Sequence, residues 1–360
     1  MQVLFTLRKA EENEMEIEID KQYIMSSMEE IINTPSPVGY YEECEPLLER
    51  YFSELGLKPT YDNRHTAYVT LEGTDDSRKV CIGAHVDTLG LVVHHIEKDG
   101  SMKVKNLGGN NMHSLEHEKM YLITLDGRKY TGYMTCVSHS VHVFNDAKTL
   151  ERDEDTMRFL LDEEVHSDED VKKLGIRHGD VIAAEPHFEY CENGRIRSRF
   201  IDDKAAVAAA LAAIKYLKEN HLTPKYTTVF AFPYYEELGF GASYIPDDID
   251  EYIGLDIGVI GPEHSGTERT VSIVAKDAKG PYDRALTKKL VRLAEKIGID
   301  YSVEVFNRYS TDAMAGFIGG NDIAAAAFGM TVYTSHGVER TFDSSVFDTA
   351  KLTVAYALDL

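Results

Sequence analysis

The 360-residue sequence predicts an α/β fold, a mostly parallel sheet flanked by helices and interrupted by a small β-rich insert. Three observations point to it. Outside residues 91–188, strand-like apolar runs alternate with longer helical patterns, which is the alternation that builds parallel sheets. Within 91–188 the pattern shortens: Asp99-Gly100 and Asp126-Gly127 each separate β-prone stretches, with Asn193-Gly194 just beyond, and such dipeptides favour tight hairpins. Finally, four strand-like runs end in a histidine or a carboxylate, as expected where strands open onto a shared crevice.

The length alone allows two domains in series or one domain carrying an insertion. The pattern selects the second, with residues 1–90 and 189–360 forming one domain around an insert at 91–188. Helices are expected at 40–55, 203–219, 282–297 and 311–319. The charge-dense stretch 150–175 reads as a solvated loop with a short helix, and the Ala-rich run 205–213 as a helix packed closely on the sheet. Asp plus Glu number 61 against 38 Lys plus Arg, a formal charge of -23 that repels phosphate backbones and anionic headgroups. No nucleic-acid or membrane partner is therefore expected. Cys44, Cys81, Cys136 and Cys191 form no Cys-x-x-Cys pair, which argues against thiolate zinc sites and thioredoxin-type chemistry. The opening MQVLFTLRKAEENEMEIEID lacks the pattern of a signal peptide, and the longest apolar run, Ala205 to Ile214, is about half a membrane span. The expectation is a cytoplasmic protein.

The chemistry gathers at the strand ends. Val80–Ala84 leads into His85-Val86-Asp87, Thr227–Phe232 into Glu236-Glu237, Tyr252–Leu255 into Asp256, and Thr331–Ser335 into His336. Asp202-Asp203 stands just before the Ala-rich helix, where one carboxylate can cap the helix while the other turns into the crevice. Two histidines with several carboxylates and no thiolate suit zinc, with cobalt or manganese also fitting. Five ligands exceed what one tetrahedral ion with an open position needs. They suit two ions sharing a carboxylate and a water, the arrangement of metal-assisted hydrolysis. In extended backbone Glu236 and Glu237 point to opposite sides, so one can ligate while the other serves as the base that deprotonates the water.

The segments GAHVDTLG, SRFIDDKAA, YYEELGFGAS, GLDIG and TSHGVERT resemble, in order and spacing, the dinuclear metallo-aminopeptidases of peptidase family M42. The likeness runs from about Asn33 to near the C-terminus. It implies a zinc-peptidase-like fold with an inserted small β-barrel that serves dimerisation and substrate access. It also implies two divalent ions per subunit, zinc foremost: His85, Asp202 and Asp256 on one, Asp202, Glu237 and His336 on the other, with Asp202 bridging. Glu236 matches the family's general base and Asp87 the carboxylate that orients His85; a cis peptide between Asp202 and Asp203 is a frequent family feature. The expected activity is removal of N-terminal residues from peptides, and the expected assembly a homo-oligomer, the family's form being a tetrahedral dodecamer. One departure is His85-Val86-Asp87-Thr88-Leu89-Gly90, where many members read His-x-Asp-Glu-Ile-Gly. With NTPSPVGY, HVFNDA and RYSTDA, it resembles a divergent branch that includes a peptidase associated with N-acetylglutaminylglutamine amide. A hydrolase of blocked or amidated small peptides on the same site is therefore the alternative.

Three rival motifs carry less. His113-Ser114-Leu115-Glu116-His117 spells His-x-x-Glu-His, but that chemistry needs a helix, and the segment follows Gly108-Gly109-Asn110-Asn111 and soon meets a strand. A polar loop is expected there, with His113 of interest because in the family such a loop can lie near a neighbouring subunit's site. No Gly-x-Ser-x-Gly elbow is present, and Gly239-Phe240-Gly241 lacks the third glycine of a dinucleotide fingerprint.

Overall fold

A computed structural model describes residues 16–360. Residues 1–15, which hold most of the opening stretch and the start of the 1–90 segment, lie outside the described residues. Helices α1 (Lys21–Asn33) and α2 (Cys44–Glu54) lead into strands β1 (Thr60–Tyr61), β2 (Ala67–Leu71) and β3 (Asp75–Ala84). A barrel then forms from β4 (Gly90–Ile96), β5 (Met102–Leu107), β6 (Lys119–Ile123), β7 (Lys129–Cys136), β8 (Met157–Leu161) and β9 (Val181–Ala184). The short helices α3 (Met112–Leu115) and α4 (Asp168–Lys173) interrupt it. There follow β10 (Glu189–Tyr190), β11 (Arg195–Ser198), α5 (Ile201–Glu219), β12 (Tyr226–Phe232), β13 (Glu251–Leu255) and β14 (Gly258–Val259). The chain closes with β15 (Val271–Lys276), α6 (Arg284–Ile297), β16 (Tyr301–Val305), α7 (Asp312–Ile318), β17 (Ala324–Val332), β18 (Glu339–Phe342) and α8 (Asp343–Leu358).

The large sheet runs β1-β2-β12-β3-β13-β17-β15-β16, with β14 against β17. Its centre, β12-β3-β13-β17, is parallel, while β2 and β15 run antiparallel to β12 and β17. This is the predicted α/β architecture, and it brings four carboxyl ends to one edge. The barrel closes in the order β4-β5-β8-β7-β6-β9, its interior filled by residues such as Leu91, Met102, Phe159 and Ile182. All three predicted turn dipeptides join antiparallel strands: β4 to β5, β6 to β7, and β10 to β11.

Helices α1, α5, α6 and α8 cover one face of the sheet and α7 part of the other. Helix α5 can sit close because its small alanines, Ala205 to Ala213, are buried against α1 and α8. Helix α6 starts where Asp283 accepts hydrogen bonds from the N–H groups of Ala285 and Leu286, both 2.8 Å, and stops at Gly298, whose φ of 68° favours a residue without Cβ. Helix α8 escaped the sequence reading because it is buried on most sides and its polar residues Ser345, Thr349 and Thr353 are buried too, which blurs the apolar face. Helix α1 escaped it too, although Ile24, Met28, Ile31 and Ile32 recur at helical spacing. The stretch 150–175 needs a correction: Met157–Leu161 is a barrel strand, with Met157 and Phe159 buried between acidic flanks.

Leu211 is fully buried among the alanines of α5. Leu211→Ala is expected to destabilise the protein by about 2–5 kcal/mol through the cavity it leaves, read as a lower urea midpoint; an unchanged midpoint would show that α5 is not tightly packed.

Candidate metal centre

Each strand delivers its ligand at the same sheet edge. His85 directly follows Ala84 of β3, and Asp256 directly follows Leu255 of β13. Beyond β12 the chain makes one tight helical turn, Glu236–Leu238, and beyond β17 it turns at Thr334–Gly337, where the Gly337 N–H donates to the Thr334 carbonyl at 3.1 Å. His336 sits in that turn with φ of 62°, a left-handed conformation that costs a residue with a Cβ roughly 1–3 kcal/mol. Two groups of donor atoms result, His85-Asp202-Asp256 and Asp202-Glu237-His336, each within 4.8 Å and each able to hold a metal ion. The five residues named as ligands from the sequence thus come together.

The supporting bonds hold these donors in place. His85 Nδ1 lies 3.0 Å from the Asp87 backbone carbonyl, leaving Nε2 to face Asp202 Oδ1 at 3.2 Å. His336 Nδ1 lies 2.8 Å from the Gly109 carbonyl, so its Nε2 faces Asp202 Oδ2 at 3.7 Å and Glu237 Oε2 at 3.6 Å. The Asp87 carboxylate is 3.5 Å from His85 Nδ1 and also accepts from the N–H groups of Glu236 and Glu237, both at 3.1 Å. It therefore ties the first histidine to the Glu-Glu turn. Asp203 corrects the expectation of a helix cap: α5 has no side-chain cap, and Asp203 Oδ2 instead accepts from the His85 N–H at 3.2 Å. The Asp202-Asp203 peptide is cis.

Several residues were invisible to the sequence reading. Buried Glu339 accepts from the N–H of Asp202 at 2.9 Å and of His336 at 3.1 Å, and so braces two ligands at once. Its position three residues after His336 was the available signal. The Gly109 carbonyl comes from the loop read as a rival motif. In that loop α3 spans only Met112–Leu115, Glu116 pairs with Arg152 at 2.9 Å, and His117 has φ of 68°. The His-x-x-Glu-His spacing does not form a helix, as expected.

The electrostatics fit divalent cations. Asp202, Asp203, Glu236, Glu237, Asp256 and Glu339 crowd together, and their ion pairs among the described residues are with His85 and His336 alone. Burial first, then mutual repulsion, raises Glu236, Glu237, Asp256 and Glu339 well above the usual carboxylate range. For Asp202 burial is outweighed by the His85 hydrogen bond and the charges of both histidines, so it is lowered. Burial also opposes charge on His85, but Glu236, Asp202, Asp87 and Asp203 together raise it well above the usual range. Asp312, which accepts from the Ala242 N–H at 2.9 Å, is pushed up to about 7, again by burial first. An Asp203 oxygen and an Asp312 oxygen are buried without a hydrogen-bond partner. Beside the centre opens a cavity of about 1080 Å³, whose wall includes Glu236, Asp256, Glu263, Lys279, Arg308 and Tyr309.

The raised groups set a sign. Stability from a folded-state pKa above its unfolded value is complete below the unfolded pKa and lost as pH rises through the folded one. Only Asp202 acts oppositely, and it does so below about 4, where it would regain its proton. Chelated protein should therefore lose melting temperature as pH rises above about 5 and through about 7, where Asp312 gives up its proton, and the gain on adding zinc should grow over the same range. A zinc-induced gain that shrinks with rising pH would contradict this electrostatic account.

The M42 glutamyl aminopeptidase family matches residues 66–352. The YhfE protein of Bacillus subtilis is 39% identical over 92% of this chain and 96% of its own length. The lysyl aminopeptidase of Pyrococcus furiosus is 25% identical over the same shares, 92% and 96%. In fold, the chain is similar to the TET1 peptidase of Pyrococcus horikoshii, which can assemble into a tetrahedron or a large octahedral shell; the TM-score is 0.82 at 22% identity, covering 94% of this chain and 100% of that one. With the family matched across most of its length, the chain belongs to the M42 aminopeptidases and is a peptidase, a hydrolase of peptide bonds.

Proposed function

We propose that the chain is a dinuclear metal-dependent aminopeptidase, with ions held by His85, Asp202 and Asp256 and by Asp202, Glu237 and His336. The observation that carries this is the division of Asp202 between the two donor groups, Oδ1 toward His85 and Oδ2 toward His336. Bound there, two divalent ions, zinc first among those the donors suit, would polarise a peptide carbonyl and acidify a water between them. Glu236 belongs to neither group, yet its Oε2 lies 3.6 Å from His85 Nε2. On this reading its carboxylate takes a proton from the attacking water and delivers it to the departing amine. Asp87, by accepting from both N–H groups of the Glu-Glu turn, keeps that base and the adjacent ligand Glu237 in register. The peptide occupies the cavity, where Glu263 is the one acid on the wall apart from the centre's own.

Glu236→Gln is expected to cut kcat by about 10²–10⁴-fold while metal content stays at two ions per chain; undiminished turnover would overturn the assignment. Elemental analysis of His336→Ala after zinc loading should fall to one ion per chain, and retention of both would remove His336 from the ligand set.

We also infer that copies of the chain associate through the barrel. Its segment 125–143 carries the exposed apolar side chains Leu125, Tyr133, Val137, Val141 and Val143, and exposed apolar surface favours association. Sedimentation of Val141→Glu together with Val143→Glu is expected to show smaller particles than the unaltered protein; identical particles would rule this face out.

A further inference from the structure

The segment Arg308–Ala313, RYSTDA, supplies no ligand, yet Arg308 to Thr311 form one side of the cavity beside the metal centre. Its position is firmly held. Buried Asp277 accepts from the N–H groups of Lys279 at 2.7 Å and Gly280 at 3.2 Å, from the hydroxyls of Tyr282 at 3.0 Å and Ser310 at 2.9 Å, and from the Thr311 N–H at 3.4 Å. The Tyr309 carbonyl accepts from the Ala278 N–H at 2.8 Å, and its ring meets Phe306 edge-on with centroids 5.0 Å apart. Both flanks of the tyrosine are thereby fixed.

Its hydroxyl is not satisfied. Tyr309 Oη is shielded from solvent and has no hydrogen-bond partner among the described residues. Leaving such a group unpaired costs about 1–3 kcal/mol, so a buried orphan asks for an explanation. The hydroxyls of Tyr23, Tyr234 and Tyr252 are also buried and unpaired, but only Tyr309 lines the cavity that holds Glu236 and Asp256. A phenol can donate or accept, and its proton is met only by an acceptor atom of the ligand. The ammonium of a peptide could donate to the oxygen, but it is better matched by a carboxylate, and Glu263 stands on the same wall. The carbonyl oxygen of the bond being cut does fit, and it gains negative charge as the bond is attacked.

Resting on the aminopeptidase reading above, we propose that Tyr309 is a catalytic residue whose hydroxyl donates a hydrogen bond to the scissile carbonyl oxygen as it becomes an oxyanion. The phenol keeps its proton and forms no covalent bond; it adds a fixed donor whose hydrogen bond strengthens as charge develops on the oxygen.

The test uses the zinc-loaded full chain and a peptide that it cleaves. Tyr309→Phe is expected to lower kcat by roughly 10²–10³-fold with KM little changed. Calorimetry with a phosphinic peptide, which mimics the tetrahedral oxyanion, should show its Kd weakened by a comparable factor, with zinc content and melting temperature unaltered. Tyr309→Gln, which restores an N–H donor, should recover part of both losses. An unchanged kcat would overturn the proposal. So would a rise in KM alone, which marks ground-state contact, or a loss of zinc, which marks a structural role. The Glu236→Gln control separates the two readings: if it too leaves turnover intact, the aminopeptidase mechanism fails, whereas if it abolishes turnover and Tyr309→Phe does not, only the role of Tyr309 falls.

Discussion

The parallel pairing of β3 with β13 governs the geometry of everything at the sheet edge. Ala84 stands opposite Leu255, so the next residues on each strand, His85 and Asp256, emerge side by side. Opposite Leu255 on its other side stands Phe328 of β17, the strand whose extension leads to His336. A slip of one residue would turn alternate side chains to the other face and scatter the donors. Close approach helps to hold the register: a Cβ on Gly329 would lie 2.1 Å from the Asp256 carbonyl, and one on Gly83 would lie 2.0 Å from the Tyr252 hydroxyl. Glycine is needed at both positions so that backbone and ring can pack against the strand.

The cost of this convergence is electrostatic. Strands that end together bring their carboxylates together, and burial leaves each with fewer water dipoles to offset its neighbours. The protein answers with backbone N–H groups: Asp87 takes two from the Glu-Glu turn, Glu339 takes one each from Asp202 and His336, and Asp203 takes one from His85. These bonds orient the carboxylates without neutralising them. The arrangement remains short of positive charge, which is the condition a binding site for divalent cations should meet.

The sequence made the sheet and the donors legible because each strand is a short apolar run and each donor follows it within a few residues. Helices with mixed faces, α2, α6 and α7, were read close to their final bounds. The failures have physical causes. Helix α8 is buried on most sides and buries Ser345, Thr349 and Thr353 along with its apolar residues, so no apolar period stands out, and β8 is a strand whose buried alternation is masked by acidic neighbours. The Gly109 carbonyl and Tyr309 lie on segments brought in by tertiary folding, where spacing along the chain carries little information. Glu339 stands only three residues after His336, but its reach back to Asp202 is a tertiary contact that chain order does not reveal.

The contact between His336 and Gly109 has a consequence for modularity. Gly109 lies between β5 and β6, within the inserted segment, and its carbonyl lies 2.8 Å from the ring nitrogen of a histidine placed by the large sheet. The barrel is thus not a detachable appendage. A rotation of the barrel against the sheet would disturb that imidazole, and a chain from which the barrel had been excised would lose the acceptor that orients His336. The same side of the barrel is tied down elsewhere, with Lys129 paired to Glu43 at 2.6 Å and Arg199 Nη1 donating to Ser114 Oγ at 3.3 Å, so its outer surface can vary while this inner side stays bound.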